Sequence, residues 1–213
     1  MASSDSAPPI RVLCVDDHPL LRDGIAAILE AQSDIVLVGE ASNGVEAVEQ
    51  HRNLRPDITL MDLQMPDMDG IAAIEHIRAV SPRALILVLT TYEGDAQAVR
   101  ALKAGASAYL LKGSLRHELL GAIRSVHKGR RHISPEVAQQ IALHAAEDPL
   151  STREIAVLEL VASGKANKEI AWQLSVSEET VKAHLRSVFL KLDVADRTQA
   201  VTVALRRGII TLP

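Results

Sequence analysis

Aromatic residues make up only 2% of the 213-residue sequence: one Trp, one Phe and two Tyr. That scarcity argues against a ligand pocket lined by stacked rings, and it means that any core must be packed with Ala, Val, Leu and Ile, which the 47% hydrophobic content can supply. Cysteine is almost as rare. The one residue, Cys14, excludes an internal disulfide, and its place in the apolar run Ile10 to Val15 predicts a buried, reduced thiol. No apolar run approaches the roughly 18 residues that would cross a bilayer, and the first ten residues lack the basic start and apolar centre of a signal peptide. A soluble, cytoplasmic protein is expected, with no membrane association. A strong positive balance is missing too, since the net charge is −4. By region, residues 1–128 carry 12 Lys and Arg against 17 Asp and Glu, whereas residues 150–213 carry 9 against 7. This mild asymmetry permits a nucleic-acid partner at the C-terminal end without requiring one.

The length suits two domains, one of about 120 residues and one of about 65. In the first half, short aliphatic runs (Ile10 to Val15, Ile35 to Glu40, Asp57 to Met61, Ala84 to Leu89, Ser107 to Leu111) alternate with segments of helical periodicity. Strand and helix alternate five times. Runs as uniformly apolar as Ala84 to Leu89 belong to strands buried on both faces, so the expectation is a doubly wound, five-stranded parallel sheet with helices on each side. After Gly129 comes one short helical stretch, Pro135 to His144, and the polar break Ala145 to Pro149. From Leu150 onward the pattern reads as four helices, with Gly164 and Gly208 placed where a helix end needs a left-handed residue. The predicted organisation is a disordered N-terminus (1–9), an α/β domain (10–128), a linker with a short helix (129–149) and a small all-α domain (150–213).

In a parallel sheet, functional groups collect at the carboxyl ends of the strands. Asp16 and Asp17 follow the first predicted strand and Asp62 the third, while Thr90 ends the fourth and Lys112 the fifth. Three carboxylates gathered on one edge repel one another and need a divalent cation, for which Mg²⁺ is the natural choice. A carboxylate nucleophile, a metal, a hydroxyl and an ammonium are together the parts of phosphoryl transfer.

The segments Val15-Asp-Asp-His18, Leu60-Met-Asp-Leu-Gln-Met-Pro-Asp-Met-Asp-Gly70, Leu89-Thr-Thr91 and Tyr109-Leu-Leu-Lys112 resemble the receiver domain of two-component response regulators, a flavodoxin-like fold. The resemblance implies that Asp62 is the phosphoacceptor. It also implies that Asp17, Asp62 and the backbone carbonyl of Gln64 ligate Mg²⁺ directly, with Asp16 holding metal-bound water. Lys112 and Thr90 would bind the phosphoryl oxygens, and Tyr109 would turn inward when Thr90 is drawn toward the phosphate. Read without the family, Tyr109 is a half-buried strand aromatic. The eight histidines are scattered without a zinc-like pair, and His18 is expected to make local hydrogen bonds near the first helix.

Residues Leu150 to Ile210 resemble the LuxR-type helix-turn-helix domain of the NarL/FixJ family, carried by Leu150-Ser-Thr-Arg-Glu154, Asn167-Lys-Glu-Ile-Ala171, Thr180-Val-Lys182, His184, Lys191-Leu192 and Asp196-Arg-Thr-Gln-Ala200. Ser177 is a good N-cap, Glu178 and Glu179 suit a helix start, and Val181, Leu185, Val188 and Leu192 share one face. Lys182, Ala183 and Arg186 lie opposite, and the resemblance places them at base edges in the major groove. Asn167, Lys168, Thr180, His184 and Lys191 would touch phosphates. Three departures stand out. Ala166 replaces a usual Ser or Thr, so a capping box with Glu169 is expected to be absent and Asn167 to cap instead. Ile155 with Ala156, and Leu190, replace polar residues and mark a possible contact with the receiver or another subunit.

The implied function is transcriptional regulation controlled by a sensor histidine kinase, with double-stranded promoter DNA as target and a homodimer as the bound form. Two other readings are weaker. A phosphatase with an aspartyl-phosphate intermediate would carry a second carboxylate two residues after the nucleophile, where this chain has Gln64. A small-ligand sensor on the same DNA-binding domain is disfavoured by the acidic edge and the scarcity of aromatics.

Overall fold

The computed structural model describes residues 8–91, 94–144 and 148–210. Most of the N-terminal segment expected to be disordered, and much of the polar break after His144, therefore lie outside the described residues. The chain divides into two compact units. One takes in the chain through Thr91 together with Val99–Pro135; the other takes in the segment ending at Ala98 together with the chain from Glu136 onward.

The first unit is built on parallel strands β1 (Ile10–Val15), β2 (Ile35–Ala41), β3 (Ile58–Asp62), β4 (Leu85–Thr90) and β5 (Ala108–Leu111). They alternate with helices α1 (Pro19–Glu30), α2 (Gly44–Leu54), α3 (Gly70–Val80), α4 (Asp95–Ala104, of which residues 99–104 belong to this unit) and α5 (Leu115–His127). A two-residue strand, β6 (His132–Ile133), extends the expected five strands to six, in the order β2-β1-β3-β4-β5-β6. Its signal was invisible in the sequence because two residues carry no periodicity. Pairing with Ala108 and Tyr109 of β5 is what makes them a strand.

Alternation along each strand divides the core. Val12, Cys14, Leu60, Leu87 and Leu110 join Ile25 and Leu29 of α1 and Leu119, Ala122, Ile123 and Val126 of α5 in one cluster. The opposite face carries Leu13, Met61 and Val88, equally buried, on the side where α2 and α3 pack together. Cys14 is buried in this core, and burial, reinforced by the charge of Asp16, pushes its thiol up to about 12, so it is an inert packing residue.

The second unit contains α6 (Pro135–His144), α7 (Thr152–Ala162), α8 (Asn167–Gln173), α9 (Glu178–Leu192) and α10 (Arg197–Arg206). Ser151 caps α7 in a full capping box with Glu154, and Ser177 and Asp196 cap α9 and α10 through their side-chain oxygens. At α8 the expectation needs correction. Glu169 does accept the Ala166 N–H at 2.8 Å, so half of the capping box survives. Asn167 is already inside the helix, where its side chain cannot cap. Gly164 and Gly208 follow α7 and α10 at φ of 77° and 67°, the left-handed geometry that their positions foretold.

Val157, Leu158, Ile170, Val181, Leu185, Val188, Ala200 and Ala204 form the core of these helices. One polar tie crosses it. Glu154 is buried, and its Oε2 accepts the Ser151 N–H at 2.6 Å and pairs with Lys191 Nζ at 2.9 Å. Burial by itself opposes ionisation of Glu154, but hydrogen bonds from Ser187, Lys191 and Ser151 outweigh it and hold the carboxyl down to about 2. A depressed carboxyl contributes stability that is present above its unfolded value of 4.5 and lost as the pH falls toward 2. Glu154→Gln should therefore lower the unfolding free energy at pH 7 by about 2 kcal/mol. The gap between the two proteins should close between about pH 4.5 and 2, as read by urea unfolding followed by circular dichroism.

Candidate functional site

Parallel register carries the acids to one place. Val15 pairs with Met61, and Asp62 with Leu89, so the residues just beyond β1 and at the end of β3 stand side by side. Thr90 pairs with Leu111, which puts Lys112 one step further along the same edge. The turn after β3 is tight. The Gly70 N–H donates to the Leu63 carbonyl at 3.0 Å, and a Cβ at position 70 would collide with the Asp62 carbonyl oxygen. Glycine is therefore required there for the backbone to close behind Asp62.

Asp16 and Asp62 are both buried, and Lys112 Nζ lies between them, 2.7 Å from Asp16 Oδ2 and 2.8 Å from Asp62 Oδ2. The other Asp62 oxygen accepts the Leu63 N–H at 2.7 Å and the Gln64 N–H at 3.4 Å. Asp16 Oδ1 accepts the His18 N–H at 2.9 Å. His18 Nδ1 lies 2.7 Å from Asp17 Oδ1, so the expected local hydrogen bonding of His18 reaches into the acidic cluster itself. Burial raises the Asp62 carboxyl above its usual range, partly offset by the hydrogen bond and charge of Lys112. For Lys112 burial acts the other way, but its hydrogen bonds to Asp16 and Asp62 prevail and its ammonium is held above its usual value.

One ligand atom from each of Asp16, Asp17, His18 and Asp62 falls within a 4.8 Å span. Oxygens bound to one octahedral ion at about 2.1 Å lie at most about 4.2 Å apart. Small side-chain shifts would bring the three carboxylates to that spacing. The donor set is all oxygen once the His18 ring is set aside, as a hard divalent cation prefers. The charge fits as well: Lys112 pairs with Asp16 and Asp62, and among the described residues no lysine or arginine pairs with Asp17.

Thr90 is buried at the end of β4, and Tyr109 of β5 is fully buried, with a hydrogen bond linking their side chains. Burial above all raises the Tyr109 phenol, which stays protonated and able to donate. The half-buried aromatic expected from strand position alone is therefore corrected to an inward-facing one.

In the helical unit, Lys182, Ala183 and Arg186 lie on the exposed face of α9, opposite the buried Val181, Leu185, Val188 and Leu192. Lys182 and Arg186 both reach Glu179, at 3.3 and 3.8 Å, from well-exposed side chains. Lys168 is exposed on α8, whereas Asn167, Thr180 and His184 are half-buried. Thr180 shares a 2.8 Å hydroxyl hydrogen bond with Ser177. Lys191 is engaged internally, bonded to Glu154 and to the Pro149 carbonyl at 3.2 Å, which gives it a structural task that its sequence position did not reveal. Of the apolar departures, Ile155 packs against the helical core, Ala156 is half-buried, and Leu190 remains 83% exposed.

Residues 12–124 match the response regulator receiver domain family, and residues 148–204 match the bacterial regulatory proteins of the luxR family. The transcriptional regulatory protein LiaR of Bacillus subtilis (strain 168) is 43% identical over 209 residues, spanning 94% of this chain and 99% of its own. The response regulator protein VraR of Staphylococcus aureus (strain NCTC 8325 / PS 47) is 39% identical over 206 residues, with the same coverage. Among solved structures, RcsB of Salmonella enterica serovar Typhimurium bound to promoter P1flhDC in the presence of the phosphomimetic BeF3- superposes with a TM-score of 0.73. It is 28% identical, over 91% of this chain and 97% of that one. With a receiver match across more than half of the sequence and relatives above 30% identity along nearly all of it, this chain belongs to the response regulators that join a receiver to a LuxR-type helix-turn-helix, and it is a DNA-binding transcription regulator rather than an enzyme.

Proposed function

We propose that Asp62 is the residue through which this regulator is switched, and the observation that carries the proposal is the Lys112 ammonium held between the buried carboxylates of Asp16 and Asp62. A sensor histidine kinase supplies the phosphoryl group as phosphohistidine. An Asp62 carboxylate oxygen attacks phosphorus, a P–O bond forms as the P–N bond breaks, and the imidazole leaves with a proton. Asp17, Asp62 and the Gln64 carbonyl would hold Mg²⁺ directly and Asp16 through water, and the bound ion would supply positive charge beside the phosphoryl oxygens. Lys112 and the Thr90 hydroxyl take the transferred oxygens, and the Thr90 to Tyr109 hydrogen bond passes the change to β5.

The work is divided between a receiver over residues 10–128, a linker over 129–149 and a DNA-binding domain over 150–213. The protein acts in the cytoplasm, where its DNA is, and pairs as a homodimer when phosphorylated or on DNA. Lys182, Ala183 and Arg186 read base edges. Asn167, Lys168, Thr180 and His184 position the helix on phosphates, with Lys191 joining them from its place beside Glu154.

Asp62→Asn should abolish labelling by a small phosphodonor in the presence of Mg²⁺, and normal labelling of that variant would refute the assignment. Lys112→Ala removes the ammonium that competes with the metal. Stabilisation by Mg²⁺, measured as a shift in thermal midpoint, should be at least as large in the variant as in the parent, while promoter binding should no longer respond to the phosphodonor. On the DNA side, Lys182→Ala and Arg186→Ala should each lose about 1–3 kcal/mol on the preferred duplex and relax base preference. Lys168→Ala should weaken all duplexes alike and reduce the salt slope by about one. Binding isotherms at several salt concentrations decide between these outcomes.

A further inference from the structure

The lone tryptophan of the chain, Trp172, is 82% exposed on α8, although tryptophan is a residue that folded proteins mostly bury. It does not contribute to the helical core, which α8 enters through Ile170 and Ala171. Trp172 stands four residues after Lys168, so the two share one face of the helix, and both are exposed. Helical side chains lean toward the N-terminus of their helix, a direction that takes residue 172 toward the turn that carries Lys168. That turn opens α8, the helix that packs against recognition helix α9.

We propose that Trp172 is a DNA-backbone contact of this protein: its ring lies on the sugar edge of the duplex beside the phosphate met by Lys168, and its Nε1–H donates to a phosphate oxygen. The inference rests on the assignment of α8 and α9 to the DNA face. Duplex DNA is the occupant that suits the patch, because Lys168 attracts phosphate, the nearby Glu169 carboxylate is engaged by the Ala166 N–H, and the indole offers both an apolar body and a donor. A protein partner would meet the same ring beside an exposed charge that it would have to neutralise. The contact carries no sequence information, so it adds affinity to specific and random duplexes alike.

Because the chain has one tryptophan, the residue reports on itself. The full chain, treated with Mg²⁺ and a small phosphodonor, is titrated with an unlabelled duplex enriched from a random pool, while anisotropy of the labelled duplex follows binding independently. Trp172 emission should shift or quench along the same binding curve, and a duplex carrying 5-iodouracil should photo-crosslink at Trp172. Trp172→Ala should weaken preferred and random duplexes alike, by about tenfold, with an unchanged salt slope because no charge is removed. Circular dichroism of the variant, expected to match the parent, excludes misfolding as the cause. Saturating anisotropy with unchanged emission and no crosslink would overturn the proposal, as would an emission change produced by the phosphodonor alone, which would show a protein surface covering the ring. If no duplex binds at all, the assignment of the DNA face has failed instead.

Discussion

The receiver is organised around a repulsion. Asp16 and Asp62 are buried side by side at the carboxyl edge of the sheet, and a buried carboxylate without a partner is costly enough to unsettle a small domain. Lys112 relieves this by meeting both, at 2.7 and 2.8 Å, and in doing so ties the ends of β1, β3 and β5 together. Lys112 answers two of the clustered acids, while Asp17 meets the His18 ring instead, so negative charge outweighs positive charge at this edge.

Only the turn behind Asp62 makes this spacing possible. Gly70 has no side chain, so α3 can begin directly against the Asp62 carbonyl, and the Leu63 and Gln64 N–H groups can point at the carboxylate. Thr90 ends the central strand β4, and its hydroxyl is bonded to the phenol of Tyr109 on the neighbouring strand, buried in a medium where a shift of one group must be matched by the other.

The helical unit solves a different problem, presenting a polar face from a core of only a dozen or so buried side chains. Side-chain caps set where α7, α9 and α10 begin, and the buried tie from Glu154 to Lys191 links α7 to the end of α9. On the exposed face of α9, Lys182 and Arg186 pair with Glu179 of their own helix. Lys191 is occupied inside the domain, whereas Lys182 reaches a neighbour on its own helix.

The sequence by itself determined the alternating α/β half and the helical half, since those rest on periodicity and on local signals: Ser151, Ser177 and Asp196 as caps, and Gly164 and Gly208 as helix stops. It also determined which strand ends bear acids, because strand order along the chain suffices for that. The two-residue β6 exists only through its partner strand, so no local pattern announced it. The inward setting of Tyr109, the capture of Lys191 by Glu154 and the exposure of Trp172 were likewise decided by tertiary structure. Each depends on which group from a distant part of the chain comes within a few ångströms, and a charge or a ring carries no mark in sequence of the partner it will meet.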